Sequence, residues 1–379
     1  MKFATKQIHA GQHPEETTGA VITPIFQTST YSNKKLGETK GYDYGRTINP
    51  TRIALEENLA ALENGKHGFC FSSGMAAVQA MITLFKPGDH VICTNNVYGG
   101  TYRLFEQIIK NYGIEFSYVD TSDIELLENS VKENTKLIYV ETPTNPMLNI
   151  TDLKKLNDLA KSKNIITCVD NTFMSPYFQN PLDFGIDVVL HSSTKYINGH
   201  SDVIGGCLIT SDDRIAEQFK FIQNSIGAVP APFDCWLIMR STKTLAQRMK
   251  AHDENAFAIC EVLKKENKIT KLLYPGLESH PQYELAKSQM RGFGGIISVV
   301  LESKEKAISF CNALEIFQIA ESLGGVESLV CHPVSMTHAS VPKEMREKFG
   351  LTDGLVRLSV GIEDKDDLIE DINKALEKL

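Results

Sequence analysis

The sequence predicts an α/β protein with a mainly parallel sheet and a smaller α/β domain toward its C terminus. Short apolar runs alternate with helical segments between residues 90 and 211, and these runs are apolar throughout rather than alternately polar. Such strands are buried on both faces, as in parallel sheets that are covered by helices. Beyond a long helical segment that starts near Asp234, strands and helices mix again, which indicates the smaller domain.

The predicted elements follow in regular order along the chain. The first helix runs from Pro50 to just before Gly65, with proline in its first turn and glycine past its end. Further helices are predicted near 99–112, 123–132 and 151–163. The predicted strands are HVICTN (90–95), EFSYVD (115–120), KLIYVE (136–141), IITCVD (165–170), DVVLHS (187–192) and CLITS (207–211), followed later by GGIISVVLE (294–302) and LVRLSVGIE (355–363).

Three segments are expected in the chain. Residues 1–52 are rich in Gly, Thr, Pro and Tyr and form an irregular arm. Residues 53–245 form the large domain, and the boundary lies inside the long helical segment. Residues 246–379 form the C-terminal domain.

Composition argues against several classes of partner. The 379 residues carry a net charge of −8 with no basic run, which disfavours nucleic acid and anionic membranes. No stretch reaches the roughly 18 apolar residues of a membrane span, and the first residues lack the apolar core of a secretory signal. The eight cysteines form no C-x-x-C pair, and no metal-ligand pattern stands out. We therefore expect a cytoplasmic protein with reduced thiols and no metal site.

Lys195 is the first candidate for chemistry. It follows the predicted strand 187–192 and three small hydroxyl residues, Ser192, Ser193 and Thr194. An exposed lysine has a pKa of about 10.4 and is a poor nucleophile, whereas a desolvated lysine can form an imine with an aldehyde. The hydroxyls could donate to a phosphate. The alternative is a surface lysine in a turn.

Four other positions have both a chemical and a structural interpretation. Ser73 and Gly74 open an Ala-rich helix, whose free N–H groups could bind a phosphate or could simply be capped. Asp170 ends a strand, where it could pair with a pyridine nitrogen or cap a turn. Tyr98 could stack on a flat cofactor or only pack. Arg357, inside an apolar strand, could bind a carboxylate or form a structural ion pair.

The order of these signals is similar to that of pyridoxal-phosphate enzymes with the aspartate-aminotransferase fold. The chain closely resembles, nearly end to end, the trans-sulfuration enzymes of cysteine and methionine metabolism. The resemblance rests on YDYGRTINPTR, NNVYGGTYR, ETPTNP, VDNTF, DVVLHSSTKYINGHS and ESLGGVESL. It implies fold type I, a mainly parallel seven-stranded sheet, pyridoxal 5'-phosphate as cofactor, and a homotetramer in which two subunits complete each site.

The resemblance also implies a role for each site residue. Lys195 would hold the cofactor covalently and move protons, together with Tyr98, which would stack on the cofactor ring, while Asp170 would pair with the ring nitrogen. The phosphate would be bound by Ser73, Gly74, Met75, Ser192 and Thr194, and by Tyr44 and Arg46 from the arm of the neighbouring subunit. The α-carboxylate of the substrate would be bound by Arg357, Ser322 and Asn145. The distal end of the substrate would be lined by Arg103 and Glu321.

Within the family, the sequence favours α,γ-elimination of L-cystathionine to L-cysteine, 2-oxobutanoate and ammonia. Methionine γ-lyases resemble this chain less, because they carry cysteine at the position of Gly100 and an apolar residue at that of Glu321. The β-lyases tend to carry tyrosine at the latter position. Cystathionine γ-synthase shares Glu321 and stays open as the alternative, while GAVPAPFDCWL and YPGLESHPQYELAKSQM favour the γ-lyases. An aminotransferase and a non-catalytic protein of this fold are further alternatives.

Overall fold

The strands predicted between residues 90 and 211 belong to the larger of two sheets. The computed structural model describes residues 1–337, 344, 346 and 349–379. In this part of the chain, the sheet has seven strands in the order β1-β7-β6-β5-β4-β2-β3. They are β1 (His67–Phe71), β2 (His90–Thr94), β3 (Glu115–Val119), β4 (Thr135–Glu141), β5 (Ile166–Asp170), β6 (Val188–His191) and β7 (Gly206–Thr210).

The prediction of a mainly parallel sheet is confirmed. Strands β3, β2, β4, β5 and β6 run parallel, whereas β7 is antiparallel to both of its neighbours, β6 and β1. Strand β1 was missed by the sequence pattern, because its first two residues are only partly buried and it holds just three fully buried positions. Its pairing with β7 joins residues about 140 positions apart, which no local pattern can report.

Helices cover both faces of this sheet. Those of the first part are α1 (Phe3–His9), α2 (Pro50–Leu62), α3 (Gly74–Ile82), α4 (Gly99–Gln107), α5 (Ile124–Asn129), α6 (Leu153–Lys163), α7 (Ser175–Phe178), α8 (Asp213–Ile226) and α9 (Pro232–Thr242). Those of the later part are α10 (Leu245–Leu263), α11 (Tyr283–Gln289), α12 (Lys304–Ala313) and α13 (Lys365–Glu377). The apolar residues between helices and sheet form buried clusters on both faces, and one of them packs Val189, Cys207 and Ile209 of the sheet against α2.

The arm and the long helical segment both differ from the sequence expectation, and the Gln7 side chain connects the two differences. The arm is not irregular throughout, because it begins with α1, and the long helical segment is two helices that break between α9 and α10. The Gln7 side chain of α1 donates to the Lys243 carbonyl oxygen at 2.9 Å and accepts from the Ala246 N–H at 2.9 Å. It therefore satisfies two backbone groups that the break leaves without a helical partner.

A second sheet follows the helix break. Its strands are β8 (Ile269–Leu273), β9 (Ile296–Leu301), β10 (Gln318–Ile319), β11 (Leu329–Cys331) and β12 (Leu355–Ser359), in the order β10-β11-β12-β9-β8. Only β9 and β12 were predicted, because the others are very short or partly exposed. The predicted boundary near residue 245 coincides with the start of α10, and the division into domains stays a prediction. Among the described residues, no helix is long and apolar enough to cross a membrane.

Candidate active site

A cavity of about 290 Å³ lies at the carboxyl edge of the larger sheet. Strands β4 and β5 end there at Glu141 and Asp170, and the Lys195 segment follows directly after β6. Ligands of open α/β sheets bind at such edges. The cavity is lined by twelve of the residues predicted from sequence, namely Ser73, Gly74, Met75, Tyr98, Asn145, Asp170, Ser192, Thr194, Lys195, Glu321, Ser322 and Arg357.

Lys195 is held at the cavity wall with a perturbed amine. Its Nζ donates to the Ser322 hydroxyl at 2.6 Å. Burial and the nearby Arg357 cation lower the pKa of Lys195 to about 8, against a smaller opposing effect of Glu321. A sizeable fraction of the amine is therefore neutral near physiological pH. This is the state in which a lysine attacks an aldehyde.

This lowered pKa predicts how the cofactor-free protein takes up an aldehyde. We expect the rate of covalent attachment of pyridoxal phosphate to rise about tenfold from pH 7 to pH 9 and to level off above pH 8, because only the neutral amine reacts. Stopped-flow absorbance measures it. In Arg357→Gln, which removes the neighbouring charge, the levelling point should move to higher pH. A rate that keeps rising tenfold per pH unit beyond pH 9 would indicate an unperturbed lysine.

Arg357 on β12 presents a buried guanidinium at the cavity. The residue is 2% exposed, and its Nη1 donates to Asn145 Oδ1 at 3.0 Å while Nη2 donates to the Ser322 carbonyl oxygen at 2.6 Å. Its Nε is buried and has no hydrogen-bond partner among the described residues. Ser322 adopts φ +101°, a conformation that non-glycine residues rarely take and that concentrates at functional sites. A buried guanidinium with a free donor suits a carboxylate ligand.

Asp170 presents a carboxylate to the cavity. Its Oδ1 accepts from the Thr172 N–H at 3.0 Å and the Thr172 hydroxyl at 2.5 Å, and its Oδ2 accepts from the Tyr139 hydroxyl at 3.4 Å. Burial raises the pKa of Asp170, and the Thr172 hydrogen bonds oppose this shift. A half-buried carboxyl group with a raised pKa is stabilised in its charged form by a cationic or proton-bearing partner.

The start of α3 forms a cradle with space for an anion. Ser73 is the N-cap, and its Oγ accepts from the Ala76 N–H at 3.0 Å, so the predicted cap is present, while its phosphate-binding role stays a prediction. A Cβ at Gly74 would lie 3.0 Å from the Ser192 Cβ and 3.1 Å from its Oγ. A Cβ at Gly206 on β7 would collide with the Ser73 carbonyl oxygen. The two glycines therefore let a helix start, a hydroxyl and a strand approach each other closely.

The Tyr98 ring lies at the cavity mouth, and the residue is 42% exposed. It is the N-cap residue of α4. A Cβ at Gly100 would collide with the Tyr98 ring and lie 3.1 Å from the Met75 Sδ. Glycine at position 100 therefore makes the space that the ring occupies.

Three residues predicted from sequence lie outside this cavity. Arg46 and Tyr44 are exposed on the arm, where the guanidinium lies 5.6 Å from the tyrosine ring centroid and donates to Asn224 Oδ1 at 2.9 Å. Arg103 is exposed on α4. The exposed arm is consistent with a role in another subunit, and the roles of all three stay predictions.

Other cavity residues were not singled out as site residues from the sequence. Six of them belong to motifs quoted above, so a signal for them was present in the sequence; they are Thr101, Glu141, Thr172, Phe173, Leu190 and Leu323. The other three lie outside those motifs. They are Val78, Ile204 and Thr337.

Comparison with known proteins decides the family. Residues 4–377 match the family described as "Cys/Met metabolism PLP-dependent enzyme". The chain belongs to this family. It is 52% identical to a cystathionine γ-lyase of Bacillus subtilis (strain 168) over 100% of both chains. It is 51% identical to a cystathionine β-lyase of Lactococcus lactis subsp. cremoris (strain MG1363), over 99% of this chain and 98% of that protein.

Solved structures agree with the family assignment. The crystal structure of a cystathionine γ-lyase from Lactobacillus plantarum complexed with L-serine superposes with a TM-score of 0.98 at 45% identity, covering 100% of this chain and 99% of that chain. The fold is therefore that of the fold type I pyridoxal-phosphate enzymes, and the cofactor of this family is pyridoxal 5'-phosphate. The Gly74 cradle, the Lys195 amine and the Asp170 carboxylate fit the phosphate, aldehyde and ring nitrogen of that cofactor.

Proposed function

We propose that the protein is a cystathionine γ-lyase, which converts L-cystathionine and water to L-cysteine, 2-oxobutanoate and ammonia. One observation carries the proposal. The cavity that contains Lys195 combines a buried cation, Arg357, with an exposed carboxylate, Glu321. Cystathionine carries an ammonium group at its distal end, and methionine does not. A cavity with both charges therefore suits the longer, doubly zwitterionic substrate.

The side chains divide the work of the proposed reaction. Arg357 and Asn145 bind the α-carboxylate, and the Lys195 amine takes the proton from Cα. When bound, pyridoxal phosphate supplies an electron-withdrawing ring that accepts the electron pair left at this carbon, and the Asp170 carboxylate keeps a proton at the ring nitrogen. After passing on the first proton, Lys195 removes a second proton, from Cβ, and the electron pair left there forms the Cβ–Cγ double bond as the bond from Cγ to sulfur breaks. The Tyr98 hydroxyl gives a proton to the departing γ-sulfur.

Substitution of Arg357 by lysine tests the carboxylate site. Lysine keeps the charge but cannot donate to Asn145 and to a carboxylate with the same planar geometry. We expect kcat/KM for L-cystathionine to fall about 10- to 100-fold, mainly through KM, since a charged hydrogen bond is worth about 1.5–3 kcal/mol. Steady-state kinetics measures it, and the visible absorbance of the bound cofactor should stay unchanged. A KM equal to that of the wild type would remove Arg357 from this role.

Product analysis tests the proposed reaction against its relatives. The purified holoenzyme is given L-cystathionine in one reaction, and L-cysteine with an O-activated homoserine in another. Cysteine and 2-oxobutanoate from the first, with little cystathionine from the second, support the γ-lyase. Homocysteine and pyruvate from the first would instead identify a β-lyase, and the 52% and 51% identities to a γ-lyase and a β-lyase do not separate these two.

The γ-synthase remains the second candidate. Glu321 and Arg357 would equally bind the two ends of the product cystathionine, so the same cavity suits γ-replacement by a thiol. Efficient cystathionine formation in the second reaction, with slow breakdown in the first, would favour this activity.

We further propose a homotetramer in which the arm completes the site of a neighbouring subunit. Val21 and Leu36 on the arm are 82% and 105% exposed. Exposed apolar residues on one segment are typical of a protein interface. Tyr44 and Arg46 on the same arm would then reach the phosphate of the neighbour, which accounts for their position outside the cavity of their own chain.

We also propose a cytoplasmic location. All eight cysteines are buried and free. Free thiols without disulfides are typical of proteins in a reducing compartment.

A further inference from the structure

Glu141 is a buried acid at the cavity to which sequence reasoning gave no role. It is the last residue of β4, lines the cavity and is 4% exposed. A carboxyl group is rarely buried to this degree unless specific partners satisfy it. The identity of those partners therefore indicates what the residue does.

The strongest partner of Glu141 is the backbone of Tyr98. Glu141 Oε2 accepts from the Tyr98 N–H at 2.9 Å. Tyr98 is the N-cap of α4, and its own side chain makes no capping hydrogen bond. Glu141 thus supplies an acceptor at a helix start, where the first backbone N–H groups have no helical partner. The contact joins the end of β4 to the residue whose ring lies at the cavity mouth.

One further hydrogen bond fixes Glu141 itself, through its backbone. Its backbone N–H donates to the Thr94 hydroxyl at the end of β2, at 3.2 Å. The backbone N–H of Asn145 also favours the charged form of the Glu141 carboxyl. Asn145 in turn accepts from the Arg357 Nη1. Glu141 therefore lies between the Tyr98 segment, which carries the aromatic ring, and Asn145, the hydrogen-bond partner of Arg357.

The position of Glu141 is electrostatically unfavourable, which argues against a residue that only fills space in the core. It is the register partner of Asp170 on the neighbouring parallel strand. Burial and the Asp170 charge raise the pKa of Glu141, whereas the Tyr98 and Asn145 N–H groups and Arg357 act in the opposite direction. Two adjacent carboxyl groups, one buried and one half-buried, destabilise the fold, and such arrangements concentrate at functional sites.

We propose that Glu141 is a positioning residue for Tyr98: its carboxyl group ties the start of α4 to the end of β4 and so fixes the ring against the cofactor. The inference rests on the proposed role of Tyr98 as the stacking residue. This role requires a side chain long enough to bring an acceptor oxygen to the Tyr98 N–H, and charge alone does not fulfil it.

Two substitutions separate reach from charge. Glu141→Gln keeps the length and one acceptor oxygen but loses the charge and the second acceptor. Glu141→Asp keeps the charge but is one methylene too short to hold the Tyr98 N–H at its present distance. Val140→Ala serves as the control, because Val140 is buried in the same strand among the apolar residues of one helix-covered face and is not among the cavity residues.

The first readout is the visible circular-dichroism band of the bound cofactor, measured without substrate. We expect E141Q and Val140→Ala to keep the wild-type band and E141D to lose at least half of its amplitude. With L-cystathionine, E141D should lower kcat about 30-fold, the rate equivalent of an unsatisfied buried N–H. E141Q should keep kcat within about threefold and raise KM about fivefold, because only the Asn145 contact is lost.

The opposite pattern would overturn the proposal. A wild-type band and kcat in E141D, with both lost in E141Q, would assign Glu141 an electrostatic role. Wild-type behaviour of both variants would make it structural only. E141Q preserves volume, so it remains informative if E141D fails to fold. Since the dichroism band is measured without substrate, it decides the proposal even if the wild-type protein fails to cleave cystathionine.

Discussion

Substitution of Lys195 by alanine should abolish covalent attachment of the cofactor and lower turnover of L-cystathionine by about 10³-fold or more. The side chain lies at the cavity wall with its Nζ 2.6 Å from the Ser322 hydroxyl, and its lowered pKa of about 8 supplies the neutral amine. No other lysine lines the cavity among the described residues, so no other amine is placed to replace it. Visible absorbance of the purified variant and product assays measure the two effects.

Stability separates this loss of chemistry from misfolding. A lysine whose folded-state pKa is lowered destabilises the fold at neutral pH, since the unfolded chain binds its proton more readily. Alanine removes that effect and the repulsion by Arg357. We expect the cofactor-free variant to melt no lower than the cofactor-free wild type at pH 7, with the difference shrinking as pH rises from 8 toward 10.5. A variant with wild-type absorbance and turnover would remove Lys195 from its proposed role.

Asp170→Asn should give the second large effect, a fall in kcat of about 10²-fold or more. The carboxylate is the group that would hold a proton at the ring nitrogen, and loss of a preorganised charge in a buried site costs about this factor. Asparagine keeps the shape, and its Oδ1 can still accept from the Thr172 N–H and hydroxyl. Steady-state kinetics and the absorbance maximum of the bound cofactor measure the result.

The same substitution should not destabilise the cofactor-free protein. Burial raises the pKa of Asp170, so its stabilising contribution is lost as pH rises through the folded-state pKa. Asparagine has no such dependence, and at neutral pH the variant should melt at or above the wild-type temperature. Thr172→Val offers a comparison, because it leaves the charge of Asp170 and removes the Thr172 hydroxyl, which donates to Asp170 and accepts from the Ser192 N–H at 2.9 Å. A large fall in kcat for Thr172→Val with none for Asp170→Asn would contradict the assignment.

Much of the catalytic edge could be predicted from the sequence because it lies where strands end. The carboxyl ends of β4 and β5 were predicted within one residue, and parallel strands bring their carboxyl ends to one edge. Lys195 follows the end of β6 directly. Ser73 and Tyr98 directly precede α3 and α4, so the local sequence pattern was sufficient to place them.

The rest depends on contacts between distant parts of the chain. Arg357 and Ser322 enter the cavity from segments more than 120 residues beyond Lys195, and no local pattern reports this approach. The same holds for α1, whose Gln7 side chain hydrogen-bonds to backbone groups at the break between α9 and α10.

The sequence by itself therefore determined the fold class, the order of the parallel strands and the residue types at the strand ends, because these follow from periodicity and short motifs. The cofactor was implied by the family resemblance that those motifs carry. Only the tertiary structure decided that Glu141 holds the Tyr98 backbone beside Asp170, and that Arg357 keeps a free donor. Both are properties of buried polar groups. Their partners are set by packing in space rather than by spacing along the chain.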